Sequence, residues 1–499
     1  MAVKSASEYI ESLRDGRVIY ADGRKIPDIV KNDHAALKAG LRMAAFEYVI
    51  AAHPLYHDLL VEADEKGEPC HFVYNPPRSA ADLLRRREII QKLARICCGV
   101  PGAAHFTGID ALHAISAVSK MIDSEHGTTY AQSVDAFREE CQHKDLGLAC
   151  GMSSAGRGPS TPGHRDFSLS ITGRSAQGVT VSGVMAHMTF VPYTHEIIIL
   201  PAHGMREEDR ENAFAMAIPV NSKGVSLILP HTGTAGAENS LDHPLLSRIY
   251  GADSMVIFDN VFVPRERIFM DGEYGFAGRC ARLFASIHRL SGDSRKAAEL
   301  ESLVGSAFLI AEYNGLEKFS HVQEKLAQLV YYAETTDALA RAAALDCITD
   351  PGTGFVFPNP MLSNLAKYTF ADYWHQAIKI VQDIAGGLVA TLPSGKDLNN
   401  PLLKSTIEPY LTGREGAAAE DRIRAVNLVR DLSIPEAGTA SIHGEGSLIM
   451  QKMTILREAD RNRYLSAARR AAGIHDAAPH PDYSNMPDLA QADNLLDSL

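Results

Sequence analysis

The run Met255-Val-Ile-Phe-Asp-Asn-Val-Phe-Val263, stopped by Pro264, is dense in β-branched and aromatic residues and reads as a strand. The same texture recurs upstream at 167–172, 179–190, 196–200, 213–219 and 225–229, with Gly, Pro, Asn and Asp between the runs. Short strands at this spacing, with no helical run among them, predict a compact antiparallel barrel or sandwich between residues 166 and 269.

Both flanks are helical in pattern. On the N-terminal side, Ser5-Ala-Ser-Glu8 has the spacing of a capping box, and helical runs follow at 33–48 and 80–97. Within the second run, Arg85-Arg86-Arg87-Glu88 is expected to be a solvated face. Cys97-Cys98-Gly-Val-Pro-Gly102 breaks the pattern, and its two cysteines read as buried small hydrophobes. On the C-terminal side, three apolar stripes with i, i+3, i+4 spacing predict a helical bundle. They are Leu300, Leu303, Val304, Ala307, Phe308, Ala311; Val322, Leu326, Leu329, Val330, Ala333; and Ala366, Phe370, Tyr373, Ala377, Val381, Ile384. The expected organisation is an N-terminal helical domain (1–140), a β domain (141–275), a helical bundle (276–475) and an extended tail (476–499). The order is α, β, α, without βαβ alternation or a Gly-x-Gly-x-x-Gly, so any nucleotide cofactor is held in another way than in a Rossmann fold.

Composition narrows the classes. The chain has 499 residues, 45% hydrophobic and 22% charged, which excludes disorder over most of its length. Lys+Arg 49 against Asp+Glu 61 gives −12, with no basic run to meet nucleic acid. No apolar run is long enough to span a membrane, and the first residues lack an apolar signal core, so a cytoplasmic protein is expected. Seven cysteines spread over this length do not form a disulfide framework.

The helix–β–helix order resembles the acyl-CoA dehydrogenase fold, an α+β class. Phe258-Asp-Asn-Val-Phe-Val-Pro264 is similar to the segment that closes the β domain there. Gln382-Asp-Ile-Ala-Gly-Gly387 resembles the Gln…Gly-Gly segment that touches the flavin nucleotide of an adjacent subunit. Ser7-Glu-Tyr-Ile-Glu-Ser-Leu-Arg14 resembles the opening of the 4-hydroxyphenylacetate 3-hydroxylase family. Its 4-hydroxybutyryl-CoA dehydratase branch is matched by Thr107-Gly-Ile-Asp-Ala111, Thr194-His-Glu196, His288-Arg289, Glu312-Tyr-Asn-Gly-Leu-Glu-Lys318 and Asp383-Ile-Ala-Gly-Gly-Leu388.

That branch holds a [4Fe–4S] cluster beside FAD with three cysteines and one histidine. The resemblance puts the histidine at His288 and the cysteines at Gly102, Phe106 and Arg295, none of which replaces a thiolate. No iron–sulfur cluster and no other metal is therefore expected. The hydroxylase branch departs as well, since its Arg-x-x-x-Tyr pair falls near Ala103 and Thr107 and its substrate histidine near Cys150. What the resemblance then implies is a FAD-dependent monooxygenase. It would be the oxygenase component of a two-component system, fed FADH2 by a separate NAD(P)H-flavin reductase, and would hydroxylate a small aromatic or heteroaromatic substrate. The alternatives are a flavin-dependent CoA-ester dehydratase or isomerase without the cluster, and a non-catalytic flavin-binding relative. A homotetramer, a dimer of dimers, is the implied assembly.

The resemblance also implies site residues. Gly151, Met152 and Ser153 stand where the first flavin contacts lie, and Thr189 where a threonine faces the isoalloxazine ring. Gln382, Gly386 and Gly387 are the cross-subunit flavin contacts. His288 heads the polar, glycine-containing stretch His288-Arg-Leu-Ser-Gly-Asp-Ser-Arg-Lys296, expected as an interruption between helices, and is the candidate general acid or base. Arg295 is positioned to hold an anionic substrate or the cofactor's phosphates. Asp253 falls on an acidic position of the dehydratase site, and Glu445 in His443-Gly-Glu-Gly446 is a further candidate. His105 and Phe106 are expected to line the substrate pocket.

Overall fold

The computed structural model describes residues 3–486 apart from 65, 100–103, 154–167, 232–238, 249–252, 435–437, 440–441, 476 and 485. Helix α1 (Ala6–Ser12) opens with the expected capping box. The Glu8 N–H donates to Ser5 Oγ at 3.2 Å and the Ser5 N–H to Glu8 Oε2 at 2.8 Å. Next comes a hairpin that the helical reading of 1–140 did not include, β1 (Ile19–Ala21) and β2 (Arg24–Ile26). Its turn residues Asp22 and Gly23 both have positive φ, at 48° and 75°, the conformation an Asp-Gly hairpin loop adopts. Three-residue strands gain stability only from a partner, and β1 finds one far along the chain by pairing in parallel with β10, Ile19 opposite Leu227.

The rest of the N-terminal region is α2 (Ala35–Ala51), α3 (His57–Leu60), the hairpin β3 (Val61–Ala63) with β4 (Pro69–His71), α4 (Ala80–Ile96), α5 (Thr107–His126) and α6 (Tyr130–Lys144). On α4 the Arg85-Arg86-Arg87 run is not a solvated face. Arg86 is buried and paired with Asp110, Arg85 lies over the Phe72 ring, and Arg87 pairs with Asp337. At the end of α4, Cys97 is buried as expected but Cys98 is exposed, with φ 54°.

The strand-rich part contains β5 (Leu148–Ser153), β6 (Ser170–Ser175), β7 (Gly178–Thr189), β8 (Glu196–Pro201), β9 (Phe214–Pro219), β10 (Val225–Ile228), β11 (Asp253–Pro264) and β12 (Ile268–Asp271). They form a six-stranded sheet, order β2-β1-β10-β11-β7-β6, and a four-stranded sheet, order β12-β9-β8-β5. The sheets share one core that includes Val181 and Met185 of β7, Ile197 and Ile199 of β8, Met216 of β9 and Val256 and Phe258 of β11. Of the expected antiparallel barrel or sandwich, the described residues show two ladders that share a core. The pairing is not wholly antiparallel, because β1–β10 and β5–β8 run parallel.

Helix α7 (Tyr274–Tyr313) then runs unbroken for 40 residues, about 60 Å at 1.5 Å per residue. The interruption expected at 288–296 does not exist. Its polar side chains are buried against α5, α9 and the 443–447 loop, and this packing overrides the weak local propensity of Ser, Asp and Gly. Helices α8 (Ser320–Leu345) and α9 (Pro360–Ala385) pack on the second half of α7 through Leu303, Ala307, Leu329, Tyr332, Phe370 and Val381. Phe308 and Val330, placed on the stripes by spacing, face outward. The segments Pro401–Leu411, Ala419–Leu432, Leu448–Glu458 and Arg461–Ala471 are helical, and one turn forms at Pro481–Ser484. The tail beyond 486 lies outside the described residues. No described helix is long and apolar enough to cross a membrane.

Candidate functional site

His288 lies midway along α7, its ring stacked on Phe284 one turn earlier with centroids 5.0 Å apart. Its Nδ1 is 3.0 Å from Asp110 Oδ2 of α5. Asp110 is wholly buried and also accepts from Arg86 and, at 3.2 Å, from Ser291 Oγ. Burial by itself raises a carboxyl, but the Arg86 guanidinium and the His288 contact outweigh it and hold Asp110 below its ordinary value. An ionised Asp110 accepts the Nδ1–H, which fixes the tautomer and leaves Nε2 as the nitrogen free for chemistry. The ring itself is only partly exposed, at 19% of its side chain.

Beside it stands a second charged set. Glu445 sits in a tight turn, with φ 56° there and 103° at Gly446. Its carboxylate pairs with Lys296 Nζ, and its carbonyl accepts from Arg289 Nε at 3.3 Å. Burial opposes the charge on Glu445, yet Lys296, Lys367, Arg295 and His288 together hold its carboxyl well below the usual range. Gly292 makes the approach possible, because a Cβ there would lie 2.5 Å from Glu445 Oε1. Gly292→Ala gains about 1 kcal/mol of helix propensity. It also drives apart a buried ion pair whose loss is worth about 3–5 kcal/mol. The expected result in urea denaturation is net destabilisation by about 2–4 kcal/mol. Gly305→Ala, on the same helix with nothing within 4 Å of its Cβ, is expected to be neutral or stabilising.

Asp253 and Thr189 face these groups from the β sandwich, paired across β11 and β7. Asp253 is exposed at the first position of β11, yet protein crowds its carboxyl. Crowding raises its carboxyl against the Thr189 hydrogen bond and the charges of His187 and Arg295. Arg295 of α7 is therefore within electrostatic reach of the strand ends, and its Nη1 donates to Glu299 Oε2 at 2.8 Å. Non-glycine residues His187 and Phe190 adopt positive φ, 59° and 65°, where β7 ends. His288, Glu445, Arg295, Asp253 and Thr189 thus converge between α7 and the sandwich.

The other sequence candidates are placed differently. Gly151, Met152 and Ser153 lie on β5, which is an edge strand among the described residues. Gly151 is buried, and a Cβ there would strike Met185 and Met188 at 2.8 Å, while Met152 is exposed. The Ser153 hydroxyl is turned inward, donating to the Leu200 carbonyl at 3.4 Å. Gln382, Gly386 and Gly387 are exposed at the end of α9. From Lys367, which faces Glu445, to Gln382 is about 22 Å along the helix, so the same chain does not bring them to His288.

His105 does not line a pocket. It is 1% exposed, and both ring nitrogens are committed, Nδ1 to Glu47 Oε1 and Nε2 to Asp145 Oδ1, each at 3.0 Å. Phe106 is buried beside it in the core at the start of α5. His71, His105 and Asp145 lie close enough to share a cation, but the two imidazoles stack at 4.3 Å and 25°, so their in-plane lone pairs do not converge. Gly102 lies outside the described residues.

Sequence reasoning missed Arg86, Asp293, Lys296 and Lys367 as parts of the site. Arg86 was visible only as a charge on an expected solvated face, Asp293 and Lys296 lay in the stretch expected as an interruption between helices, and Lys367 stands beside an apolar stripe.

Comparison with known proteins agrees with this architecture. The family models described as 4-hydroxyphenylacetate 3-hydroxylase N terminal and C terminal match residues 5–270 and 277–473. The 4-hydroxybutyryl-CoA dehydratase/vinylacetyl-CoA-Delta-isomerase of Clostridium aminobutyricum is 30% identical, covering 94% of this chain and 99% of its own. The 4-hydroxyphenylacetate 3-monooxygenase oxygenase component of Thermus thermophilus is 24% identical over 87% of this chain and 89% of its own. Among solved structures, the oxygen-tolerant archaeal 4-hydroxybutyryl-CoA dehydratase from N. maritimus superposes with TM-score 0.88 at 29% identity, covering 96% of this chain and 97% of that one. A 4-hydroxyphenylacetate 3-monooxygenase oxygenase component complexed with FAD and 4-hydroxyphenylacetate shares the fold, with TM-score 0.84 at 23% identity and coverage of 94% and 98%. With family models spanning nearly its whole length, the chain belongs to the 4-hydroxyphenylacetate 3-hydroxylase family.

Proposed function

We propose that this protein is a FAD-dependent monooxygenase. It acts as the oxygenase component that takes reduced FAD from a separate reductase and hydroxylates a small aromatic or heteroaromatic substrate. The observation that carries this reading is the exchange at the cluster positions. The resemblance puts Gly102, Phe106 and Arg295 where the dehydratase branch has thiolates, while His288 has Asp110–Arg86 behind it. A cationic guanidinium and a buried phenyl ring do not fit an iron–sulfur cluster, and no step is assigned to one.

The residues present do fit a flavin. Met152 is exposed on β5, the Thr189 hydroxyl is exposed at the end of β7, and nothing crowds Gly386 and Gly387, so a donor on each of these segments can be approached. Gly151, Met152, Ser153 and Thr189 would hold the ring system, and Gln382, Gly386 and Gly387 the nucleotide of a neighbouring subunit in a tetramer. Reduced FAD, when bound, supplies the two electrons of the reaction Ar–H + O2 + FADH2 → Ar–OH + FAD + H2O. His288 Nε2 accepts the proton of the substrate's hydroxyl or ring N–H, and Asp110 stabilises the imidazolium that results. Arg295 pairs with an anionic group of the substrate, and Asp253 opposes it across the cleft.

Protein supplied with reduced FAD, 18O2 and a panel of phenols and indoles is expected to yield hydroxylated product carrying the label. Reoxidation of FADH2 at the rate of the free cofactor, with no labelled product, would overturn the reading. The second reading is a CoA-ester isomerase without the cluster. It is favoured by the Glu445–Lys296 pair beside His288, two acid–base groups facing one cleft, together with the 30% identity to the dehydratase/isomerase. Anaerobic conversion of vinylacetyl-CoA to crotonyl-CoA would decide for it.

A further inference from the structure

Behind Glu445 lies a carboxyl that the chemistry above does not use. Asp293 of α7 is wholly buried, and neither of its oxygens has a hydrogen-bond partner among the described residues. The charged groups around it are Arg289, Arg295 and Lys296 on α7, Lys367 on α9 and Glu445 on the 443–447 loop, with Glu299 paired to Arg295. Lys296 is engaged by Glu445, and Lys367 Nζ donates to the Ile442 carbonyl at 3.2 Å. Asn364, one turn before Lys367, is also buried with an unpartnered Oδ1.

An ionised carboxylate without a single hydrogen bond is unfavourable in such an interior, even among cations, and taking up a proton removes the penalty. A buried lysine next to other cations is relieved by losing one. Both tendencies operate here. Burial pushes Asp293 up to about 7 against the attraction of Lys296, and burial with the repulsion of Lys296 brings Lys367 down to about 7.

We propose that Asp293 and Lys367 share one proton in a sealed store behind the Glu445–Lys296 pair, and that this store sets the charge felt by Glu445 in the cleft. Asp293 is then a positioning residue that acts through Glu445. The two titrate as a pair, so the steps belong to the pair and not to either residue alone. The use of the store in catalysis rests on the cleft described under Proposed function. Its existence does not, and it is tested without turnover.

Infrared difference spectra of the intact protein, recorded as the pH is lowered through about 7, are expected to show the C=O stretch of a protonated carboxyl appearing above the amide I band. Carbon-13 labelling of aspartate should shift that band, and Asp293→Asn should remove it. Lys367→Met takes away a neighbouring cation, disfavours the carboxylate and should make the band persist to higher pH. The labelled wild-type protein keeps the test decisive even if a variant does not fold. No carboxyl band, or a band that aspartate labelling leaves unmoved, overturns the proposal, as does a band that Asp293→Asn leaves in place.

Discussion

Asp110→Asn is expected to cut turnover by about 10²–10⁴-fold, the range that a positioned acid–base group contributes. Asparagine keeps the shape of the side chain but presents either an amide N–H or a neutral oxygen to His288 Nδ1. In the first case the ring is forced into the tautomer with Nε2–H, which cannot accept a proton. In the second the imidazolium formed during the reaction loses its counter-charge. The effect should fall on kcat with little change in KM, since Asp110 is wholly buried and meets the substrate only through His288. Stability should fall too, because Arg86 would be left as a buried cation without an anion, a loss worth about 3–5 kcal/mol. Arg86→Met is the complementary variant. It leaves Asp110 buried without its cation, which weakens the ionised state and should raise the pH at which activity is half lost on the acid side. Steady-state kinetics across pH, with urea denaturation at each pH, separates the two contributions. Equal activity of Asp110→Asn and wild type would remove His288 from the chemistry.

The sequence made the layer order legible because periodicity is a local property. The alternation in 179–190 and 255–263 and the apolar stripes of α8 and α9 are each set by residues a few positions apart. What it did not make legible is decided by partners far along the chain. The hairpin β1–β2 has a local turn signal in Asp22-Gly23, but its strands are three residues long and exist because β10 pairs with one of them. Arg86 reads like its neighbours Arg85 and Arg87, and only the helix rotation that turns it towards Asp110 separates a buried ion pair from partly exposed ones. The stretch 288–296 looks like a loop because its polar residues are counted as solvated. Apart from Asp293, they find partners in Asp110, Glu445, Glu299 and the carbonyl of Leu290. His288 was therefore identified by its resemblance, while the support that makes it usable was visible only in three dimensions. His105 is the converse case, since proximity to the cluster position in sequence placed it at a pocket wall and the fold enclosed it between two carboxylates.

That enclosure carries the second large effect, a loss of stability at alkaline pH. Burial opposes a charge on His105, but the Glu47 and Asp145 carboxylates outweigh it and push the imidazole up to about 10. The folded value lies above the unfolded value of 6.5, so the contribution is complete below pH 6.5 and is lost as pH rises towards 10. Over that window the ion cluster should give up on the order of 4 kcal/mol. Neighbouring His71 behaves in the opposite sense. Burial draws it down to about 4, so its contribution is present above 6.5 and is lost as the pH falls. Glu196, raised by burial from 4.5 to about 7, loses its contribution between those values and overlaps the start of the alkaline window, so the curve of the wild-type protein alone does not isolate His105. The difference between wild type and His105→Gln does, because every other group is common to both. Glutamine keeps two polar ends for Glu47 and Asp145 but carries no charge. The variant should be much less stable than wild type at pH 6.5, and the gap should close as pH approaches 10. A gap that stays constant across that window would mean that His105 is neutral in the folded protein and that the two carboxylates are held by something other than its charge.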